Sequence, residues 1–265
     1  MSKEYLNEAY QDVILEVKGR IAYVTLNRPH KLNAMTMNTK GEIVRIFEEI
    51  DKDPDVWGVI VTGAGKSFNV GSDVSHHPAS CEEAFDEITY SQNVLTTIEK
   101  CNKPVIAAIN GYCLGGGIEL ALVCDLRIAS EKASFGLPEA KLGVIPSYGG
   151  TQRLTRLCGA ALAKDLCFTC RRMPAEEALT WHLINRLVPH DQLMAEATRY
   201  MEEILANAPI ALKYCKYSIN NGAEISLEKG LELEKLSFAM CIASEDCAEG
   251  MAAFAEKRAP QFKNR

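Results

Sequence analysis

The segment Asn110-Gly-Tyr-Cys-Leu-Gly-Gly-Gly-Ile-Glu119 decides how this chain folds, because a run of glycines interrupts an apolar stretch there. Before it, the short apolar run Lys103–Asn110 predicts a buried strand, and after it Glu119–Cys124 predicts a helix. Glycines between a strand and a helix let the backbone approach a ligand closely and leave the first helical N–H groups free. Those donors and the positive end of the helix dipole suit an anion or a developing oxyanion. Glu119 is then either a surface acid that stabilises the dipole or a catalytic acid, and the segment alone leaves both open.

Strand and helix signals alternate on both sides of this segment as far as about residue 150. Two apolar stretches that flank Lys18-Gly-Arg20 predict a hairpin. Residues 69–83 form a polar loop of the length often found in active-site lids. The predicted strands are 13–17, 21–26, 58–62, 125–129 and 133–136, and the predicted helices are at about 38–50 and 84–100.

From about residue 150 onward the pattern is almost entirely helical. Because little sheet remains for these helices to cover, they either pack against another subunit or cap their own core. The organisation changes near residue 195, so we expect an α/β core at 1–195 and a helical oligomerisation region at 196–265. The predicted helices are 150–158, 160–169, 174–182, 190–206, 209–220, 226–241 and 244–256.

The composition is that of a soluble globular protein. The 265 residues are 47% apolar and 24% charged, and 29 basic and 35 acidic residues give a net charge of −6. A negative net charge disfavours a nucleic-acid-binding surface. No apolar run approaches the ~20 residues of a membrane span, and the first ten residues carry acids and no apolar core, so neither a membrane segment nor a signal peptide is expected. These features predict a cytoplasmic protein.

The ten cysteines lie mostly inside apolar patterns, which predicts reduced, buried side chains. Cys167 and Cys170 form a Cys-x-x-Cys motif, but there is no second cysteine pair and no nearby histidine to complete a metal site. His76 and His77 are adjacent in the chain, and adjacent side chains seldom bind the same ion. No metal site is therefore expected. The cysteines in apolar patterns are Cys113, Cys124, Cys158, Cys215 and Cys241.

Two further regions become informative beside Asn110–Glu119. Lys66-Ser-Phe-Asn-Val-Gly-Ser-Asp73 also ends a strand region with glycine. Phe135-Gly-Leu-Pro-Glu139 and Lys141-Leu-Gly-Val-Ile-Pro-Ser-Tyr-Gly-Gly-Thr-Gln-Arg153 hold a second carboxylate, a glycine-rich loop and a helix start. Together these segments resemble the crotonase, or enoyl-CoA hydratase/isomerase, superfamily, and the resemblance extends over essentially the whole chain, from Ile21 to Lys257.

The resemblance implies an α/β fold, a spiral of ββα units with a C-terminal helical region that builds homotrimers, commonly paired into homohexamers. Such proteins bind acyl-CoA thioesters and hold the thioester oxygen with two backbone N–H groups, which correspond here to Ser72 and Gly116. Preorganised donors of this kind stabilise a developing enolate oxygen by roughly 3–4 kcal/mol each. Because the donors are backbone groups, the Ser72 side chain need not take part.

The enoyl-CoA hydratase branch carries two glutamates, and both match here, at Glu119 and Glu139. Hydration needs one group to take a proton from water and another to deliver a proton to the α carbon. Two carboxylates can do both when their environments set different protonation states. By resemblance, Glu119 orients and deprotonates the water and Glu139 supplies the α proton. The resemblance thus implies a hydro-lyase of fatty acid metabolism (β-oxidation) that reversibly hydrates a 2-enoyl-CoA, with no cofactor apart from the coenzyme A of its substrate.

The resemblance marks the CoA-binding positions less strongly than the catalytic ones. Phe254 and Lys257 match positions that reach the nucleotide of a neighbouring subunit. Lys257 is either a contact to a CoA phosphate or a solvated surface lysine. The matching positions are Leu32, Ala34, Asp73, Val74, Phe254 and Lys257.

Five positions depart from the family pattern. Ser75 stands where many hydratases carry a lysine for a CoA phosphate, so one charge contact is missing. Ser147 and Tyr148 replace small residues, and they either narrow the acyl pocket or offer a hydroxyl to a polar acyl chain. Cys170 and His182 stand at turns where glycines are common, which we interpret as structural variation.

Other functions remain compatible with the sequence. One is another reaction of the same family, either double-bond isomerisation or hydration of an unusual acyl-CoA such as crotonobetainyl-CoA, whose branch Arg172–Trp181 and Ala253–Arg258 resemble. Isomerase branches typically keep only one of the two acids, which favours the hydratase. Some crotonase relatives bind RNA, but a net charge of −6 disfavours this. A pseudoenzyme is disfavoured because both carboxylates and both glycine turns are present.

Overall fold

The structure, a computed structural model, describes residues 3–6, 8–73, 75 and 78–265. Ten strands and ten α-helices lie within these ranges, together with four short 3-10 turns, one of which is Glu139–Leu142. The strands are β1 (Val13–Lys18), β2 (Ile21–Leu26), β3 (Gly58–Gly63), β4 (Ser67–Asn69), β5 (Val105–Ile109), β6 (Tyr112–Leu114), β7 (Leu126–Ser130), β8 (Ser134–Gly136), β9 (Met173–Pro174) and β10 (Arg186–Val188). The helices are α1 (Met37–Lys52), α2 (Cys81–Glu99), α3 (Gly116–Val123), α4 (Gly150–Cys158), α5 (Ala160–Thr169), α6 (Ala175–Thr180), α7 (Leu193–Leu205), α8 (Pro209–Gly222), α9 (Leu227–Ile242) and α10 (Glu245–Glu256).

The strands form two sheets. The larger has the order β1-β2-β3-β5-β7-β10, and all of its neighbours are parallel except the β1–β2 hairpin. The smaller has the order β4-β6-β8-β9, and only the β8–β9 pair is antiparallel. In each of the successive strand pairs β3–β4, β5–β6 and β7–β8, the first strand lies in the larger sheet and the second in the smaller one. A helix follows each pair. This repetition of strand, strand and helix confirms the predicted spiral of ββα units.

Both faces of the larger sheet are covered by helices. Alternate residues of a strand point to opposite faces, so Val59 and Val61 pack with α1, α2 and α3. Ile60, Ile106 and Ile128 point the other way, against apolar residues of α7. Because β3 and β5 are buried on both faces, they are continuous apolar runs rather than alternating ones.

Most of the predicted elements are confirmed, including the helices after residue 150. Around the glycine run, the observed elements differ from the predicted ones. The prediction led directly from one strand into a helix at Glu119, whereas the structure inserts β6 and begins α3 at Gly116. Gly116 and Gly117 therefore belong to the first helical turn, and Gly115 precedes it as the N-cap. The short strands β4, β9 and β10 were also not predicted, because two or three residues are too few to show a period.

The cysteine prediction is correct only in part. Cys113 and Cys124 are buried, but Cys158 and Cys241 are half-buried and Cys215 is exposed. Cys215 lies on α8, whose spacing places it on the outer surface of this chain rather than in the core. All ten cysteines are free thiols.

Candidate active site

The candidate site lies at the carboxyl ends of three neighbouring parallel strands of the smaller sheet. Ser72 follows β4, Gly116 follows β6 and Glu139 follows β8. Ligands of parallel α/β sheets are commonly bound beyond the carboxyl ends of the strands, where loops from adjacent strands meet. The order of the sheet thus brings together three segments that are far apart in the chain.

The turns that carry the predicted backbone donors, at Ser72 and Gly116, lie side by side at this site. Gly71 has a φ of +98°, and a Cβ on it would lie 3.0 Å from the nitrogen of Gly116, so the two turns are in close contact. Met35 N donates to Gly71 O at 2.8 Å and Asp73 N donates to Met35 O at 3.0 Å, which holds the turn on both sides of Ser72. Within the described ranges no acceptor is bonded to the N–H of Ser72 or of Gly116.

Glu119 lies in the first turn of α3 with only 2% of its surface exposed, which rules out the surface-acid interpretation. Its Oε1 accepts hydrogen bonds from the backbone N–H groups of Tyr148 and Gly150, each at 2.7 Å. The pKa of Glu119 is raised to about 7, chiefly by burial; the charge of Glu139 adds to the rise and the two backbone donors oppose it. The side chain can therefore exchange a proton near neutral pH.

Glu139 begins the 3-10 turn that follows β8, and burial raises the pKa of its carboxyl above the ordinary value. One oxygen, Oε1, lies against the glycine run, since a Cβ on Gly115 would come within 2.8 Å of it. The other, Oε2, is buried and has no hydrogen-bond partner among the residues described. Buried polar atoms are normally paired, so this oxygen is available to a bound molecule.

Tyr148 connects the catalytic segments. Its backbone binds Glu119, and its ring packs on Gly116, where a Cβ would lie 3.3 Å from Cδ2. Its hydroxyl is hydrogen-bonded to the Ser72 hydroxyl. The backbone carbonyl of the neighbouring Ser147 accepts a hydrogen bond from Gln92 Nε2 at 2.7 Å. Of the two residues, therefore, only Tyr148 contacts the site through its side chain in the described part of the structure.

Sequence reasoning missed Lys40, which is 2% exposed and donates hydrogen bonds from Nζ to Tyr148 Oη at 3.1 Å and Ser91 Oγ at 2.8 Å. The sequence nevertheless contained a signal that Lys40 is buried. Lys40 stands three and seven residues before Ile43 and Phe47, which places it on the buried face of α1. A charged residue on an apolar helical face is a departure from the pattern that deserves a structural explanation.

The predicted CoA-binding residues Leu32, Ala34 and Asp73 lie together at the edge of the site. Arg28 joins two of them, because its NH1 donates to Ala34 O at 2.6 Å and both terminal nitrogens lie 3.2 Å from Asp73 Oδ2. Leu32 has a φ of +52° and ends the preceding 3-10 turn. Val74, the fourth residue of this group, lies outside the described residues, as do His76 and His77.

The structure does not bring Phe254 and Lys257 to this site through any described contact. Phe254 is 86% exposed on α10, and Lys257 caps the end of that helix with a φ of +55°. The described side-chain hydrogen bonds and ion pairs of α10 stay within residues 244–265. A contact between these two residues and CoA therefore stays a prediction.

Within the described ranges no group of three or more His, Cys, Asp or Glu side chains is arranged to hold a metal ion. Among the described helices, none combines the length and apolar character that crossing a bilayer demands.

Comparison with known proteins identifies the family. The family model described as enoyl-CoA hydratase/isomerase matches residues 16–265. The chain belongs to this family. A short-chain-enoyl-CoA hydratase of Clostridium acetobutylicum is 44% identical over 257 residues, covering 96% of this chain and 98% of that one. A crotonyl-CoA hydratase of Syntrophomonas wolfei is 40% identical over 256 residues, with the same coverage of 96% and 98%.

Solved structures of this family share the fold. The crystal structure of an enoyl-CoA hydratase from Bacillus anthracis superimposes with a TM-score of 0.92 at 38% identity, over 96% of this chain and all 100% of that one. The resemblance inferred from the glycine turns and the two glutamates is therefore confirmed, and so is the α/β fold class with its C-terminal helices.

Proposed function

We propose that this enoyl-CoA hydratase/isomerase family member is a hydro-lyase that adds water across the double bond of a 2-enoyl-CoA. The observation that carries the proposal is the combination of a buried carboxylate, Glu119, and a half-buried one, Glu139, with two backbone donors, at Ser72 and Gly116, that have no acceptor among the described residues. A thioester oxygen bound by both N–H groups becomes more negative as water attacks the β carbon, and fixed donors stabilise that charge.

The two carboxylates then divide the proton transfers. Glu119 takes a proton from the water whose oxygen bonds to the β carbon. The electron pair of the double bond moves towards the thioester oxygen, and Glu139 delivers its proton to the α carbon. The product is a 3-hydroxyacyl-CoA, and exchange of one proton with solvent restores the pair. The reverse sequence eliminates water.

The contacts of each carboxylate support this division. Two backbone N–H donors on Glu119 Oε1 stabilise its ionised form, whereas Oε2 of Glu139 is buried with no donor among the residues that the structure describes. A carboxyl in such a place is more stable when protonated. Hydration starts from the form in which Glu139 holds the shared proton and Glu119 is ionised, and the pKa of about 7 at Glu119 makes that form accessible near neutral pH.

The test is loss of the conjugated enoyl-thioester absorbance when the purified protein meets crotonyl-CoA. We expect the wild type to convert it to 3-hydroxybutyryl-CoA, and Glu119→Gln and Glu139→Gln each to lower kcat by roughly a thousandfold or more with KM changed little. Near-wild-type turnover in either variant would contradict the role given to that residue. Conversion of a 3-enoyl-CoA or crotonobetainyl-CoA, with none of crotonyl-CoA, would instead favour the related activities.

The C-terminal helices support self-association as a trimer or hexamer. Their outer faces carry large apolar side chains that are about half or more exposed in this single chain, more than a monomeric surface usually shows. A neighbouring subunit would bury them and could bring Phe254 and Lys257 to a CoA nucleotide. Analytical ultracentrifugation is expected to show three or six chains, and a monomer would contradict the proposal. The exposed residues are Tyr217, Ile219, Leu227, Leu231, Leu236, Phe238, Met240, Ile242, Met251 and Phe254.

The remaining features of the proposal follow from this chemistry. Acid–base hydration needs no cofactor beyond the coenzyme A carried by the substrate, and we propose no metal. Cytoplasmic location and absence of a nucleic-acid or membrane partner are likewise proposed, in keeping with the net charge of −6. Cell fractionation and a salt-dependent RNA-binding assay test these two points.

A further inference from the structure

A chain of hydrogen bonds runs from a buried cation to the oxyanion site. Lys40 Nζ donates to Tyr148 Oη at 3.1 Å, and Tyr148 Oη is in turn bonded to Ser72 Oγ. Lys40 and Tyr148 are 2% and 6% exposed, so both groups are shielded from bulk water. The chain ends on the residue whose backbone N–H is one of the two oxyanion donors.

The direction of these bonds follows from the donors available. An ammonium group can only donate, so Tyr148 Oη accepts from Lys40. The phenol hydrogen then needs an acceptor, and among the described residues its one remaining partner is Ser72 Oγ. Ser72 therefore accepts from Tyr148, and its own hydroxyl hydrogen is left without a described acceptor. Covalent geometry keeps that hydroxyl within about 4 Å of the Ser72 nitrogen, next to the oxyanion position.

The charge on Lys40 reinforces the chain. Its other described contacts are the neutral Ser91 hydroxyl at 2.8 Å, the Tyr148 ring face at 5.0 Å and a Glu87 carboxylate at 3.8 Å. The distance to Glu87 exceeds a hydrogen bond, so this acid offsets the charge without capturing its protons. Hydrogen bonds that begin at an ion are stronger, and linked bonds polarise one another in a low-dielectric interior.

We propose that Lys40, Tyr148 and Ser72 form a relay that gives the oxyanion site a third, charge-reinforced donor, the hydroxyl of Ser72. In this arrangement the Ser72 hydroxyl contacts the thioester oxygen, and Tyr148 and Lys40 are positioning residues that orient and polarise it. The inference rests on the proposed hydration, since it assigns a donor to the same developing enolate. It gives Tyr148 a function that a residue serving only to fill the acyl pocket would lack.

Three conservative variants test the relay. Tyr148→Phe removes one oxygen and keeps the ring on Gly116, Ser72→Ala keeps the backbone N–H, and Lys40→Met removes the charge. With crotonyl-CoA we expect each to lower kcat by roughly tenfold to a hundredfold with KM within about threefold, because the donor acts on charge that develops in the transition state. The double variant Ser72→Ala/Tyr148→Phe is expected to be no slower than Ser72→Ala. Ser91→Ala, which removes a Lys40 partner outside the relay, is the matched control and is expected to keep wild-type kcat.

A spectroscopic readout separates this role from a structural one. An aryl-conjugated enoyl-CoA absorbs at longer wavelength when its thioester carbonyl is polarised, and it can be bound to a Glu119→Gln background without turnover. We expect the shift to be smaller when Tyr148→Phe or Ser72→Ala is added, with the folded fraction unchanged by circular dichroism. Because this measurement needs no hydration, it decides on the relay even if crotonyl-CoA proves not to be a substrate.

Two results would overturn the inference. One is an unchanged kcat and an unchanged probe shift in Tyr148→Phe and Ser72→Ala. The other is an unchanged crotonyl-CoA kcat together with a lost preference for hydroxylated or carboxylated enoyl-CoAs, which would show that the hydroxyls recognise the acyl chain instead. A reduced shift in both variants supports the relay, whichever substrate the enzyme prefers.

Discussion

Oε1 of Glu119 lies 2.7 Å from the backbone nitrogen of Gly150, and the same oxygen accepts a second bond from the turn that contains Tyr148. A Cβ on Gly150 would come within 3.0 Å of this oxygen, so glycine is what permits the approach. The glycine-rich loop before α4 thus orients a carboxylate that α3 buries. Its burial and its orientation come from different parts of the chain, and both have measurable consequences.

Burial of Glu119 should make the folded protein less stable at higher pH. The pKa of this group rises from its ordinary value of 4.5 to about 7 on folding. Between those values the folded state retains a proton that the unfolded state has released, so the free energy of unfolding falls as pH rises and stays low above about 7. We expect Glu119→Gln to exceed wild-type stability by roughly 1–3 kcal/mol near pH 8, with the difference vanishing near pH 5, in urea titrations.

Glu177→Gln is the matched control, and we expect its stability difference from wild type to have the opposite sign. Arg171 lowers the pKa of Glu177 by hydrogen bonding, so that carboxylate stabilises the folded state above its unfolded pKa and loses the effect as pH falls. Glu177→Gln should therefore be less stable than wild type near pH 8 and approach it in acid. If both variants showed the same pH dependence, the assigned pKa directions would be wrong.

The activity should depend on pH with a maximum. The pair needs one ionised and one protonated carboxyl, and the charge of Glu139 contributes to the pKa of about 7 at Glu119, so this value describes loss of the last shared proton. We expect kcat/KM for hydration to fall as pH rises through about 7 and to fall again in acid, where both groups are protonated. A profile that is flat across this range would contradict a shared proton.

Gly71 should be required for the correct position of the oxyanion donors as well as for the stability of the fold. Alanine there combines a left-handed φ of +98° with a Cβ 3.0 Å from Gly116 N. Gly159→Ala is the control, since its φ is +88° and nothing lies within 4 Å of the added Cβ. Both should lose about 1–2 kcal/mol of stability in denaturant titrations. Only Gly71→Ala should lower kcat, by roughly a hundredfold, because it displaces an oxyanion donor. Equal kinetics in the two variants would place the oxyanion site elsewhere.

Arg28 should support CoA binding without taking part in chemistry. Its guanidinium holds Ala34 and Asp73 together, and both were predicted to contact CoA. We expect Arg28→Met to raise KM for crotonyl-CoA several-fold with kcat retained, because interactions remote from the reacting atoms are lost equally in ground and transition states. Arg45→Met, which removes an exposed pair with Glu8 at 3.5 Å, should leave both constants unchanged.

The histidine at position 182 should lower the free energy of unfolding relative to a glycine there. It is exposed and has a φ of +58°, a conformation that favours glycine. The sequence prediction that it occupies a glycine-type turn is consistent with this backbone. His182→Gly is expected to raise the unfolding free energy by about 0.5–1 kcal/mol. Thr180→Gly, in the last turn of α6, should lower it by a similar amount, and a loss in both variants would show that the histidine makes a compensating contact.

Local patterns identified most of the elements correctly and pointed to Glu119 and Glu139, which the fold brings to one site, but they failed where strands were very short. β4 and β6 have three residues each, and their pairing depends on partners more than forty positions apart, such as Ser67 with Tyr112. Lys40 was likewise missed because the sequence marks its buried position but not its partners, Tyr148 and Ser91. Predictions about Val74, and about the subunit contacts of Phe254 and Lys257, stay predictions.

The sequence by itself determined the family and the ββα organisation and singled out Glu119 and Glu139 as candidate acids, because glycine turns and apolar periods are local features of the chain. Only the tertiary structure decided that Glu119 is buried and bonded to two N–H groups, that Oε2 of Glu139 has no partner among the described residues, and that Lys40 reaches Ser72 through Tyr148. Protonation and polarisation depend on exclusion of water and on distances of about 3 Å between atoms. Such distances are set when the two sheets and their helices pack, and no stretch of sequence contains them.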